Sequence, residues 1–280
     1  MIRALDTTQE LAAFLRSRRE RLDPHDFDLP TRSRTRRTPG LRREEVAELA
    51  GISIDYIVRL EQARGLRPSA EVLGSLAQAL RLTSAERAYL FDLARQRPTT
   101  PARPTPDRPN AAAAPPLARL VADLSPLPAM LTNHRYDILA WNTEMSRLLL
   151  DFDTLPPHQR NSMWLCLMRP EMRDFYVDRE RIVREGIAHL RTVWAAHPED
   201  EALSALIAEF ATDPDFARLW DERDVKVHGR GRKRMRHPEV GLVAVDFETL
   251  TPLDDPDLQL VIFRAADGES QSALDRLNAG

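Results

Sequence analysis

One cysteine, Cys166, stands in 280 residues. That excludes an intrachain disulfide and any cysteine-based metal cluster. Cys166 lies in the apolar run MWLCLM, where a buried small hydrophobe is the ordinary reading. Glycine is also scarce, at ten, and no glycine-rich phosphate loop or dinucleotide turn occurs. There is no Gly-x-Ser-x-Gly elbow and no His-Glu-x-x-His, and the histidines lack metal-ligand spacing. Catalysis therefore has no signature, and no catalytic residue, metal or cofactor is expected. No stretch approaches 18 apolar residues, and the N-terminus has neither an unbroken apolar segment nor a cleavage signal. A soluble protein of the cytoplasm, with no membrane partner, is the expectation.

What is present is uneven. The net charge is only −3, yet residues 1–100 carry 18 basic and 14 acidic side chains, and the remainder 22 and 29. A basic N-terminal part before an acidic C-terminal part fits a nucleic-acid module joined to a second domain. Residues 98–116, PTTPARPTPDRPNAAAAPP, have almost nothing to bury and read as a linker. The expected layout is a five-helix domain over 1–97, that linker, and a second domain over 117–280.

The N-terminal domain centres on REEVAELAGISIDYIVRLE, residues 43–61. Val46, Ala47, Ala50, Ile52, Ile57 and Leu60 fall where two crossing helices pack. Gly51 suits the corner, where a positive φ costs it nothing. Ser53 is the expected N-cap of the second helix. This is the pattern of a helix-turn-helix, whose second helix reads the major groove; the ordinary alternative is a helical hairpin. Flanking helices are expected from Thr8 to Leu22, after Ser69, and from Thr83, where Glu86 completes a capping box.

The stretch resembles the Xre and phage-repressor type, whose pattern is Gln-x-x-x-Ala-x-x-x-Gly ending in Leu-Glu. Arg43 stands where that type usually has Gln, a residue that commonly holds a backbone phosphate. The resemblance implies binding to double-stranded DNA as a homodimer on an inverted repeat. Candidate DNA contacts are Arg34, Arg36 and Arg37 as a basic arm, Arg43, then Ser53, Ile54, Asp55, Tyr56 and Arg59, with Arg64 and Arg67 in the loop beyond. Arg59 is the best placed long donor for guanine. Asp55 suits either a cytosine amino group or simply the positive helix end.

The second domain reads as two strands (127–132 and 135–142), a block of helices, then three strands (225–236, 240–250 and 258–265). That is an α+β order with an antiparallel sheet of the PAS type. LAWN (139–142), LPPHQRN (155–161), AAHPEDEAL (195–203), FARLW (216–220) and HPEVG (237–241) resemble the ligand-binding domain of MmyB-like transcriptional regulators. The resemblance implies a PAS-like domain with an apolar pocket for a fatty-acid-like molecule. Candidate ligand contacts are Tyr136, Trp141, Phe152, Trp164, Phe175 and Trp220, with Arg160 and Asn161 to meet a carboxylate. The plainer readings are core aromatics and a surface guanidinium. The run RGRKRMRH (230–237) is an exposed strand face, a nucleic-acid patch, a head-group site or a domain contact. The rival for the whole domain is a dimerisation or protein-interaction module without ligand.

Overall fold

The computed structural model describes residues 6–27, 40–64, 67–95, 115–226 and 229–279. The basic arm Arg34, Arg36 and Arg37 lies outside them. Five helices form the first domain: α1 (Thr7–Arg21), α2 (Arg43–Ala50), α3 (Ile54–Glu61), α4 (Ala70–Ala79) and α5 (Ser84–Ala94). Their ends are fixed by local chemistry. Gly51 closes α2 at φ +65°. Ser53 Oγ then accepts the Tyr56 N–H at 3.2 Å and starts α3. Ser69 Oγ accepts the Val72 N–H at 3.3 Å, and Thr83 and Glu86 cap each other's backbone at 3.3 and 2.9 Å. These caps satisfy amides that a helix start otherwise leaves open. Leu11, Phe14, Val46, Ala47, Ile57, Leu60, Leu76 and Leu90 meet in the buried core.

The second domain opens with a helix, α6 (Pro115–Asp123), within and beyond the end of the proline- and alanine-rich stretch read as linker. Leu117, Val121 and Leu124 recur at helical spacing and pack against Ala129, Leu131, Leu139, Leu258 and Leu260. Strands β1 (Ala129–Asn133) and β2 (Ile138–Trp141) follow, then α7 (Thr143–Leu148), α8 (Ser162–Met168), α9 (Arg179–Ala196), α10 (Glu201–Phe210) and α11 (Pro214–Asp221). The chain ends with β3 (Arg230–His237), β4 (Gly241–Leu250), β5 (Leu258–Ala265) and α12 (Gly268–Ala279). β3 is shorter than expected, because Val225 and Lys226 are not extended into the sheet.

The sheet is antiparallel throughout, in the order β2-β1-β5-β4-β3, a PAS-like arrangement. Its two faces differ. One is covered over β1, β2 and β5 by α6. The other, carrying Met130, Ile138, Val243, Val245, Phe247 and Phe263, belongs to the same buried core as α7, α8 and α9. Among the described residues no helix is long and apolar enough to cross a membrane.

The two domains touch through α1 and α5 on one side and α9 and the turn after α11 on the other. Arg18 Nη2 donates to the Arg223 carbonyl at 2.5 Å, while its Nε pairs with Glu86 at 2.6 Å. Arg21 Nη2 reaches Asp224 at 2.9 Å. Arg191, on α9, inserts between the domains and donates to Glu10 and to the Trp220 carbonyl.

Candidate functional site

On α3 the assignment of faces made from the sequence holds. Ile57 and Leu60 are buried, whereas Ser53, Ile54, Asp55 and Arg59 are exposed and Tyr56 is half-buried. Ile54 stands 51% exposed, high for a large apolar side chain on a helix with a buried side. Arg64 and Arg67 are exposed in the loop that follows. Among the described residues no carboxylate pairs with Arg59, Arg64 or Arg67. These guanidiniums, on α3 and just beyond it, therefore face solvent, beside a helix start whose first turn also exposes Asp55.

Arg43 is differently placed from a bare phosphate clamp. Its Nε donates to Glu61 at 2.7 Å. Glu61 is 3% exposed and also receives Arg19, through Nε at 2.6 Å and Nη2 at 3.1 Å. Arg16 adds a bond to the Glu61 carbonyl at 2.7 Å. A buried carboxylate needs such partners. Glu61, the last residue of the motif, thus ties the end of α3 to α1 and to the first turn of α2. The sequence reading missed this cluster, and the closing Leu-Glu was its signal.

The second domain holds a cavity of about 60 Å³ between the sheet and α8–α9. Met130 and Phe263 line it from the sheet, Met163 and Cys166 from α8, Ile182 and Gly186 from α9. Three methionines border it, Met130, Met163 and Met172, and their unbranched thioethers repack readily. Gly186 gives the space: a Cβ there would stand 2.4 Å from Met163 Sδ.

Of the eight side chains expected in the pocket, Tyr136 lines it and the other seven do not. Tyr136 is held at φ +70°, a region that non-glycine residues seldom adopt, and its hydroxyl lies 3.5 Å from the Gly186 carbonyl. The turn is braced by Asn133 Oδ1, which accepts the N–H groups of Arg135 and Asp137 at 2.9 Å. Asn161, only 1% exposed, is part of this brace. Its amide donates to Arg135 O and Asp137 Oδ1, and its oxygen caps α8. Arg160 is also occupied elsewhere, with Nε on the Leu155 carbonyl at 3.1 Å and its guanidinium 5.4 Å from the Trp141 ring. Trp141 in turn leans on Phe152. Trp164 donates to Glu209 at 2.8 Å, Phe175 packs edge-on to Tyr176, and Trp220 stacks on Phe216 beneath Arg191. Trp141, Phe152, Arg160, Trp164, Phe175 and Trp220 serve the framework here, and the aromatics that line the cavity are Tyr136, Tyr176 and Phe263.

The ionisable side chains of the cavity are Tyr136, Cys166, Tyr176 and Lys233. Burial pushes the two phenols and the thiol up, so all three stay neutral. Burial pulls Lys233 down from the ordinary lysine range. Lys233 was passed over within the basic run, although strand alternation was the signal that turns it inward.

A family model for a helix-turn-helix domain matches residues 10–90. The model for the MmyB-like transcription regulator ligand binding domain matches residues 113–277, more than half of the chain. No curated protein sequence matches the chain. Both matched families are those of a regulator, not of an enzyme. The chain belongs to the MmyB-like transcription regulators, with a helix-turn-helix for DNA ahead of that family's ligand-binding domain.

Proposed function

We propose that this regulator senses a small apolar, fatty-acid-like molecule and binds an inverted-repeat operator as a homodimer, in the cytoplasm where DNA is at hand. The observation that carries the ligand reading is the cavity between the sheet and α8–α9, apolar over most of its lining. About 60 Å³ holds a few waters but not an extended acyl chain, so binding requires the bordering methionines to move. Dimeric binding is supported by the small reading face, since one short helix offers few base contacts and symmetry doubles them. Ser53, Ile54, Asp55, Tyr56 and Arg59 supply the groove contacts, and Arg34, Arg36, Arg37, Arg43, Arg64 and Arg67 the phosphate contacts.

The test is native mass spectrometry of the full chain as purified, together with selection of bound duplexes from a random pool. The expected results are an extractable apolar acid and a palindromic site protected by two protomers. A chain that carries no small molecule and takes none up refutes the sensing role and leaves the domain as an interaction module.

A further inference from the structure

Strand β3 is the basic run 230–237, and its two faces have different fates. Two of the outward arginines find acids. Arg232 makes a two-pronged contact with Asp246 at 2.8 and 3.0 Å, and Arg234 another with Asp178 at 2.7 and 3.0 Å. Alternation turns Lys233 the other way, into the cavity beside Phe263 and Tyr176. Its Nζ lies 5.0 Å from the Phe247 ring centroid, 5.4 Å from that of Phe263 and 5.8 Å from that of Tyr176.

Among the described residues no carboxylate forms an ion pair with Lys233. The acids that line the cavity with it are the neutral Tyr136, Cys166 and Tyr176. Glu185, the carboxylate whose field favours the charged lysine, is itself held by Lys226 at 2.7 Å and Arg181 at 3.3 Å. Three ring faces attract a cation but do not neutralise it. Lys233 is half-buried, and an ammonium partly withdrawn from water without a counter-ion is relieved by an incoming anion.

We propose that Lys233 receives the anionic head of the cavity ligand, a single carboxylate, with the apolar tail among Met130, Ile138, Met163 and Ile182. This rests on the cavity being the ligand site. One carboxylate suits it better than a phosphate, because Lys233 is the sole cation in the lining among the described residues. The head group then lies on β3 and the tail reaches α9, so the ligand bridges the sheet and the helix that meets the DNA-binding domain.

The experiment is calorimetric titration of the full chain with octanoate and with 1-octanol, in the wild type and in Lys233→Met. The wild type is expected to prefer octanoate by about tenfold or more. The variant is expected to lose that preference and to keep 1-octanol. A second measurement needs no variant: wild-type affinity for octanoate should fall as pH rises towards the ordinary lysine pKa of about 10, with that for 1-octanol unchanged. Equal binding of the two probes, a flat octanoate profile, or full octanoate affinity in a folded Lys233→Met protein overturns the head-group role and leaves the cavity as the ligand site. Binding of neither probe by the wild type overturns both.

Discussion

Arg191 and Glu10 form an ion pair across the boundary between the two domains, 181 residues apart in sequence. Arg191 is 1% exposed and Glu10 9%. Tyr89 donates its hydroxyl to the same carboxylate oxygen at 3.1 Å, and Arg223 Nε approaches the other at 3.7 Å. The guanidinium also lies 4.1 Å from the Trp220 ring centroid. Desolvated charges of this kind contribute little net stability as a pair but are costly to separate.

Glu10→Ala should therefore destabilise the chain by about 3–5 kcal/mol, since it strands the Arg191 guanidinium. Replacing Glu10 and Arg191 together, by Ala and Met, should recover a large part of that loss. Urea unfolding of the two single variants and the double variant measures the coupling. Additive losses would mean that the two side chains do not depend on each other.

Arg59→Ala should cost about 1–3 kcal/mol on the preferred operator and relax the choice at one base position, with folding intact. Binding to an operator series substituted at every position separates this from a phosphate-holding role, which would weaken every sequence alike. Replacing Arg34, Arg36 and Arg37 by Ala should instead leave specificity alone and lower the salt slope by roughly 0.9 for each phosphate left without its cation.

Gly186→Val should abolish uptake of octanoate while leaving DNA affinity in the absence of ligand near the wild-type value. The new side chain meets Met163 Sδ at the end of a flexible thioether, so the helix is retained as the cavity fills. Thermal melting and calorimetry together check this. Undiminished uptake would place the ligand elsewhere.

His189 is buried between Tyr136, 5.7 Å away ring to ring, and Gln259, 3.5 Å away. Burial lowers its pKa to about 4 from the ordinary histidine value of 6.5. Between those values the unfolded chain binds the proton and the folded chain does not, so stability falls as the pH drops from about 6.5 to about 4. The loss attributable to this residue is about 3 kcal/mol at most. Unfolding free energies measured across that range should flatten in His189→Leu, and an unchanged slope would assign the acid sensitivity to other groups.

The helix-turn-helix was legible because its signals are local. Gly51, Ser53, Ser69 and Thr83 each act within four residues, and each performs the role its side chain suggests. Helix α6 was not legible, because the prolines and alanines before it masked the spacing of Leu117, Val121 and Leu124. The cavity was mostly hidden for another reason. Counting aromatics pointed to Trp141, Trp164 and Trp220 as ligand contacts, but they pack in or against the core, and a cavity is defined by gaps between elements. Gly186 and Met163 make that gap, and nothing in their immediate sequence announces it. The Glu61 cluster joins three helices, a tertiary relationship with no periodicity to read.

Helix α9 borders the cavity at Ile182 and Gly186 and reaches the other domain at Arg191. Nine residues separate Ile182 from Arg191, about 13 Å along a helix axis. A rod that short transmits displacement rather than absorbing it. Whatever factor a bound ligand imposes on operator affinity, the operator must impose the same factor on ligand affinity. Titrating the small molecule with and without DNA therefore measures the coupling from either end, and its sign separates an inducer from a corepressor.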